Sequence, residues 1–280
     1  MGQNASLMVK SEHALPFFST HGDMTLRRAP RDEVPYAVFE GVIPSDAQRR
    51  EILQRGFGLH LIQVPDNHRD LAFLRRFEGL THLGIIGSEL DTGVVSSMES
   101  LVALELSVAA APETPLNGLA RLRRFSGFFR PNESVLDAPS LRIAAFQDVG
   151  RAVLPPLPSQ VEDLSVMDAR AVALVTSESG SPALRNIVIG GSRVFDAASL
   201  LSFPRLEIVS LYGVGVVEHA EALLRLPLRE LGLLNCRSVA NIESLGALQN
   251  ASVTVAGRGA SAARQIERHP SSSWTFLPRT

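Results

Sequence analysis

Few side chains in this sequence are of types that do chemistry, and their spacing decides what each can do. Cys236 is the only cysteine among 280 residues. A thiol acts as nucleophile or ligand in its thiolate form, which needs a nearby cation or a helix N-terminus. Arg237 is adjacent, but no Lys or His lies within five residues of Cys236. The seven histidines (13, 21, 60, 68, 82, 219 and 269) include no H-E-x-x-H pair, and one cysteine cannot build a thiolate metal site. No metal is expected. Within VTVAGRGASA, Gly257, Gly259 and Ala262 match the G-x-G-x-x-A turn that cradles a pyrophosphate at a helix N-terminus. That site also needs an acidic residue about 20 positions on, and residues 277–280 are Leu, Pro, Arg and Thr. An enzyme with a nucleotide cofactor at Gly257–Ala262 is therefore the disfavoured alternative, and no cofactor is expected. No G-x-S-x-G elbow or Walker loop occurs. The sequence offers no catalytic constellation.

Gly2 and Ser6 in MGQNAS stand at the spacing of an N-myristoylation signal. Residues 1–35 carry no polybasic cluster to reinforce one acyl chain, which alone binds membranes weakly. Membrane association is expected only if Gly2 is acylated. A net charge of −2 gives no basic excess for a nucleic-acid backbone. No apolar run approaches the roughly 18 residues that cross a bilayer. No signal peptide and no cysteine pair are present, which points to the cytoplasm.

The elements that hold these residues follow a period. LRELGL (228–233) has apolar residues at positions 1, 4 and 6, and the pattern recurs from starts at 59, 80, 101, 122, 141, 161, 184, 206 and 250. Twenty-eight of the thirty template positions are Ala, Val, Ile, Leu or Phe; Gly127 and Asn250 are the exceptions. Composition, at 45% apolar, would place about half as many there, so the register is not accidental. Alternation at 4 and 6 is strand geometry. Apolar residues at three-residue steps then follow, as in Val239, Ile242, Leu245 and Leu248, which suits a 3-10 turn or short helix returning over the core. No such unit buries its apolar edge alone, so neighbours must stack.

L-x-x-L-x-L at intervals of 19–23 residues resembles a leucine-rich repeat protein, with the last units most similar to the 22-residue class of internalins and phosphatase-regulating repeats. The resemblance implies an α/β fold: a right-handed solenoid, or horseshoe, of about ten parallel strands with short helical or 3-10 returns. It also implies protein binding on the concave face. The family's Asn at position 9, the bend after the strand, stands in register here only as Asn67; Cys236 occupies that position in its unit, as in some repeats of the family. A buried structural thiol is the expectation.

The domains read as a flexible arm over 1–35, an N-terminal cap of strand and helix over 36–58, repeats over 59–257, and a C-terminal cap over 258–280. Ser45 is the expected N-cap and Gly56 the stop of the first cap's helix. ASAARQIERH (260–269) reads as a capping helix, and SWTFL (273–277) as a cover for the last core layer. His60 and His82 fall at positions 2 and 3 of the first two units, pointing apart and exposed.

With positions 4 and 6 inward, positions 3, 5 and 7 face out. Position 7 carries Phe128, Gln147, Met167, Tyr212 and Leu234, a largely apolar column on a sheet that ten strands would make about 43 Å wide. In the alternative reading of the irregular 122–140 unit, Phe128 and Phe129 plug its interior. Arg124, Arg142, Arg185 and Arg229 lie along one edge, among acidic residues, and would orient a partner by charge. The chain thus reads as a monomeric, non-catalytic binder of another protein. Within that class an immunity-like or regulatory inhibitor is one expectation, and its Ala, Arg and Gly content points to a bacterial source. A host-directed effector with an acylated N-terminus is the variant that Gly2 would favour.

Overall fold

The computed structural model describes residues 17–28, 33–109, 111–150, 156–169, 171–172, 183–248, 250–256 and 273–277. The chain divides into two compact units, residues 1–122 and 123–280, so the division falls inside the span read as one run of repeats.

In the first unit, β1 (Phe17–His21) and β2 (Met24–Arg28) form an antiparallel hairpin, and β2 pairs antiparallel with β3 (Tyr36–Glu40). The stretch 17–28 lies in the segment expected to be a flexible arm. Its alternation, with Met24 and Leu26 buried on either side of exposed Thr25, is strand-like but too short to stand out from sequence. From β3 onward the strands run parallel: β3, β4 (Gly58–Ile62), β5 (His82–Ser88) and β6 (Ala103–Ala109).

Helix α1 (Asp46–Arg55) is the return between β3 and β4. Ser45 accepts from the Gln48 amide and the Gln48 side chain accepts from the Ser45 amide, a reciprocal box that satisfies donors at the helix start. Gly56, at φ 67°, ends it in the left-handed conformation. Tyr36 pairs with Gly58, 22 positions on, so the segment read as a cap is itself a full unit of the stack.

β4 also corrects the first register. Leu59 pairs with Leu83 and Leu61 with Ile85, so LHLIQV was placed three positions out. Ile62 and Val64 are apolar enough to mimic the template, but the strand is set by the alternation of Leu59 and Leu61, both fully buried. Gln63 and Pro65 therefore leave the outward columns, which His60 and Ile62 enter. Val64 takes the bend, and Asn67 lies exposed in a 3-10 turn (Asp66–His68).

The second unit stacks β7 (Arg124–Phe128), β8 (Ile143–Gln147), β9 (Asp163–Met167), β11 (Asn186–Gly190), β13 (Ile208–Tyr212), β15 (Glu230–Leu234), β17 (Ser252–Ala256) and β18 (Ser273–Leu277), all parallel where paired. β18, expected as a cover, continues the series instead, with Trp274 in register with Val253 and Phe276 with Val255. The expected helix at 260–269 lies outside the described residues.

The core of the second unit is a spine of positions 1, 4 and 6: Leu184, Ile187 and Ile189, then Leu206, Val209 and Leu211, are fully buried. After each strand the chain must turn without losing the layer. Asp148, Asp168, Gly191, Gly213 and Asn235, all at position 8, have φ between 47° and 66°. Gly, Asn and Asp tolerate this left-handed bend best, and it swings position 9 inward, where Val149, Ala169, Ser192, Val214 and Cys236 are buried. The regular units then add a second parallel sheet not expected from sequence: β10 (Ala171–Val172), β12 (Val194–Asp196), β14 (Val216–Glu218) and β16 (Ser238–Val239). Its strands are two or three residues long, below what alternation can reveal. The returns at Ala197–Ser202, Ala220–Arg225 and Ile242–Ala247 are 3-10 helices, as their three-residue steps predict.

Candidate functional site

The outward face of the second unit holds the apolar column in one row. Met167 pairs with Gly190, Gly190 with Tyr212, and Tyr212 with Leu234; Phe128 pairs with Gln147 at the other end. Tyr212 is 49% exposed, among the most exposed large apolar side chains described. Gln147 is exposed, and Phe128, Met167 and Leu234 are half-buried. The thioether of Met167 lies over Gly190, where a Cβ would collide with it. Met167 thereby fills the gap in the row. Ile143 and Ile208 at position 3 and Val188 at position 5 are also half-buried on this face. The two isoleucines were not anticipated, although their place in the outward column made them findable.

The structure separates Phe128 from Phe129. Gly127 occupies core position 6 of its unit, with φ 155°, and leaves that layer without a side chain. Phe129 fills it, fully buried, with its ring edge-on to Phe146 at 5.1 Å between centroids; Phe125 stands 5.7 Å from Phe146. Phe129 is the plug, and Phe128 stays on the outward face.

The arginines of the edge are paired within the chain. Arg142 pairs with Glu162 of the next unit, and Arg185 (2.6 Å) and Arg229 (3.4 Å) both pair with Glu207. Arg124 is half-buried and engaged within the chain. The alternation of Arg and Glu at one position of successive units brings opposite charges side by side, so they bind each other first. They form a ladder between units.

The first unit turns the same kind of face inward on its own residues. His60 (position 5) and His82 (position 3) lie on one side of the sheet and are 3% and 4% exposed, not exposed and divergent as expected. The three-residue register error is odd, and an odd shift exchanges the two faces of a strand. The Tyr36 ring covers Gly58 and the His60 ring covers Gly84; a Cβ at either glycine would approach these rings to 2.7 or 2.6 Å. Tyr36 meets both His60 and His82 edge-on, with centroids 6.1 Å apart in each case.

Arg27, on β2, closes the cluster from the hairpin. Its Nη1 donates to His60 Nδ1 at 3.1 Å and stands 3.7 Å from Glu105 Oε2. A guanidinium has only donors, so Nδ1 accepts and the ring proton resides on Nε2, 3.8 Å from Glu105. Burial, and secondarily the positive charge of Arg27, push the His60 pKa down to about 4. His60 is thus neutral at pH 7. It is a packing residue, and nothing positions it against a reacting group.

Cys236 is 1% exposed, and its thiol donates to the Leu211 carbonyl at 3.5 Å. Burial pushes its pKa up to about 11, the opposite of an activated nucleophile. Among the described residues no three His, Cys, Asp or Glu side chains are grouped to hold a metal, and no helix is long and apolar enough to cross a membrane. Gly2 and Gly257–Ala262 lie outside the described residues.

No family model matches the chain, and no curated protein matches it. Among solved structures, it is similar to an internalin (inlF) of Listeria monocytogenes at 15% identity and a TM-score of 0.43, covering 86% of this chain and 67% of that one.

Proposed function

We propose that this chain is a non-catalytic, leucine-rich-repeat-type protein that binds a partner protein on the outward face of its second unit. The observation that carries this reading is the row Phe128, Met167, Tyr212 and Leu234 on a parallel sheet, with Tyr212 half exposed to solvent. Large apolar groups left partly in solvent along one line serve as anchors when a partner desolvates them. The face spans six strands from Phe128 to Leu234, about 24 Å at the spacing of a sheet, enough for a standard interface. Occlusion of the partner's own working surface, as in a regulatory inhibitor, is the corollary. The single buried thiol suits a reducing cytoplasm, where we place the protein.

The test is affinity capture from the native host with wild type and the double variant Tyr212→Asp/Leu234→Asp. Both substitutions replace side chains that contact solvent, so the fold should persist, which circular dichroism checks. The variant should lose the partners that the wild type recovers. Recovery of the same partners by both proteins would remove the proposal.

A further inference from the structure

The charge on this face identifies the chemistry of what it receives. Over positions 3 to 8 of the described strands of the second unit, the cation is Arg124, already engaged within the chain, against Asp148, Asp163, Asp168 and Glu230. Of the four arginines that neighbour the face at position 2, Arg142, Arg185 and Arg229 pair with Glu162 and Glu207, and Arg123 stands exposed at the Phe128 end of the row, away from Met167, Tyr212 and Leu234. Asp163 accepts from the Asn186 amide, which leaves its charge in place.

The carboxylates border the apolar row on both sides. Asp148 and Asp168 are exposed at the left-handed bends that directly follow Gln147 and Met167. Asp163 and the exposed Glu230 stand at position 3, four residues, or about 13 Å, along the strand from position 7. Between them the floor is low, with Ser165, Ser210 and Gly232 at position 5.

We infer that the occupant of this face is a basic amphipathic protein segment, whose apolar side chains seat along Met167, Tyr212 and Leu234 while its Lys or Arg residues meet Asp148, Asp168 and Glu230. The inference rests on the reading of this face as a binding surface. An acidic segment would bring like charges onto four carboxylates, and a wholly apolar one would leave them desolvated without a partner. A nucleic acid is repelled by the same charges.

Phage display on the full-length protein tests both levels. The library carries random peptides of about 16 residues, long enough as a helix to cross the row. Enriched peptides should combine apolar residues with Lys and Arg, bind the Tyr212→Asp/Leu234→Asp variant at least about tenfold more weakly, and lose about tenfold in affinity to Asp148→Asn/Asp168→Asn. Their affinity should also fall as salt rises from about 50 to about 300 mM. Peptides that depend on Tyr212 and Leu234 but are neutral or acidic overturn the charge inference and leave the binding face standing. Peptides that bind the Tyr212/Leu234 variant as well as wild type, or no enrichment at all, overturn both. Concentration-dependent self-association that Tyr212→Asp/Leu234→Asp abolishes, seen by sedimentation, makes a second copy the occupant and overturns the basic segment.

Discussion

The outward faces of the two units use the same strand positions to opposite ends. In the first unit, positions 3 and 5 alternate rings with glycines, so that Tyr36 lies on Gly58 and His60 on Gly84, and Arg27 of the hairpin bridges His60 and Glu105. At positions 3 and 5 the face is closed by its own side chains. In the second unit, position 5 is small, position 7 carries large apolar groups, and Tyr212 stands in solvent. Strand geometry therefore does not make a face available for binding. What decides is whether neighbouring side chains are sized to fold onto each other or to stand apart.

The largest effect should come from the interior counterpart of the open face. Phe129→Ala should destabilise the protein by about 3–5 kcal/mol, because it empties the layer that Gly127 leaves vacant. Phe128→Ala should cost under about 1 kcal/mol. Urea denaturation distinguishes the two, and similar costs for both would erase the distinction between plug and surface.

The closed face should announce itself through pH. His60 has a folded pKa near 4 against an ordinary 6.5, so the unfolded chain takes up the proton first as pH falls. The stability contributed by neutral His60 is complete above about pH 6.5 and is lost progressively toward pH 4, by about 3 kcal/mol. Denaturation between these limits should show the fall, and His60→Gln should flatten it by close to one proton. An unchanged slope in the variant would show that His60 is open to solvent.

Cys236 should stay unmodified by a thiol reagent at pH 8 in native protein and react fully in denaturant, since burial raises its pKa to about 11. Rapid native labelling would contradict its place under the bend. The smallest effect belongs to the ladder. Glu207→Gln removes the partner of both Arg185 and Arg229, yet these arginines are half or more exposed, and the loss should stay within about 1 kcal/mol. Thermal melts at low and high salt should converge for the variant and the wild type.

Much of this was legible before any coordinates. From Leu80 onward, core positions such as Leu83, Ile187 and Leu231 follow from the template, and Ser45 as N-cap and Gly56 as stop marked α1 correctly. The misplacement at residue 59 shows where the reading fails. Three consecutive choices of apolar residue satisfied the template, and the odd offset sent His60 to the wrong face. Of the site, the position-7 row was readable. Which of Phe128 and Phe129 plugs the interior, and the pairing of the arginines with Glu162 and Glu207, were not.

The sequence by itself determined that the chain is a stack of strand-and-return units, because burial of positions 1, 4 and 6 is a local rule repeated until it exceeds chance. From residue 141 to 235 the bends also carry a local signature, since left-handed backbone favours the Gly, Asn and Asp found at position 8 there. Only the tertiary structure decided which outward face is closed and which is open. That depends on side chains about 20 residues apart meeting across neighbouring strands, ring over glycine or arginine beside glutamate, and such pairings carry no periodic signature along the chain.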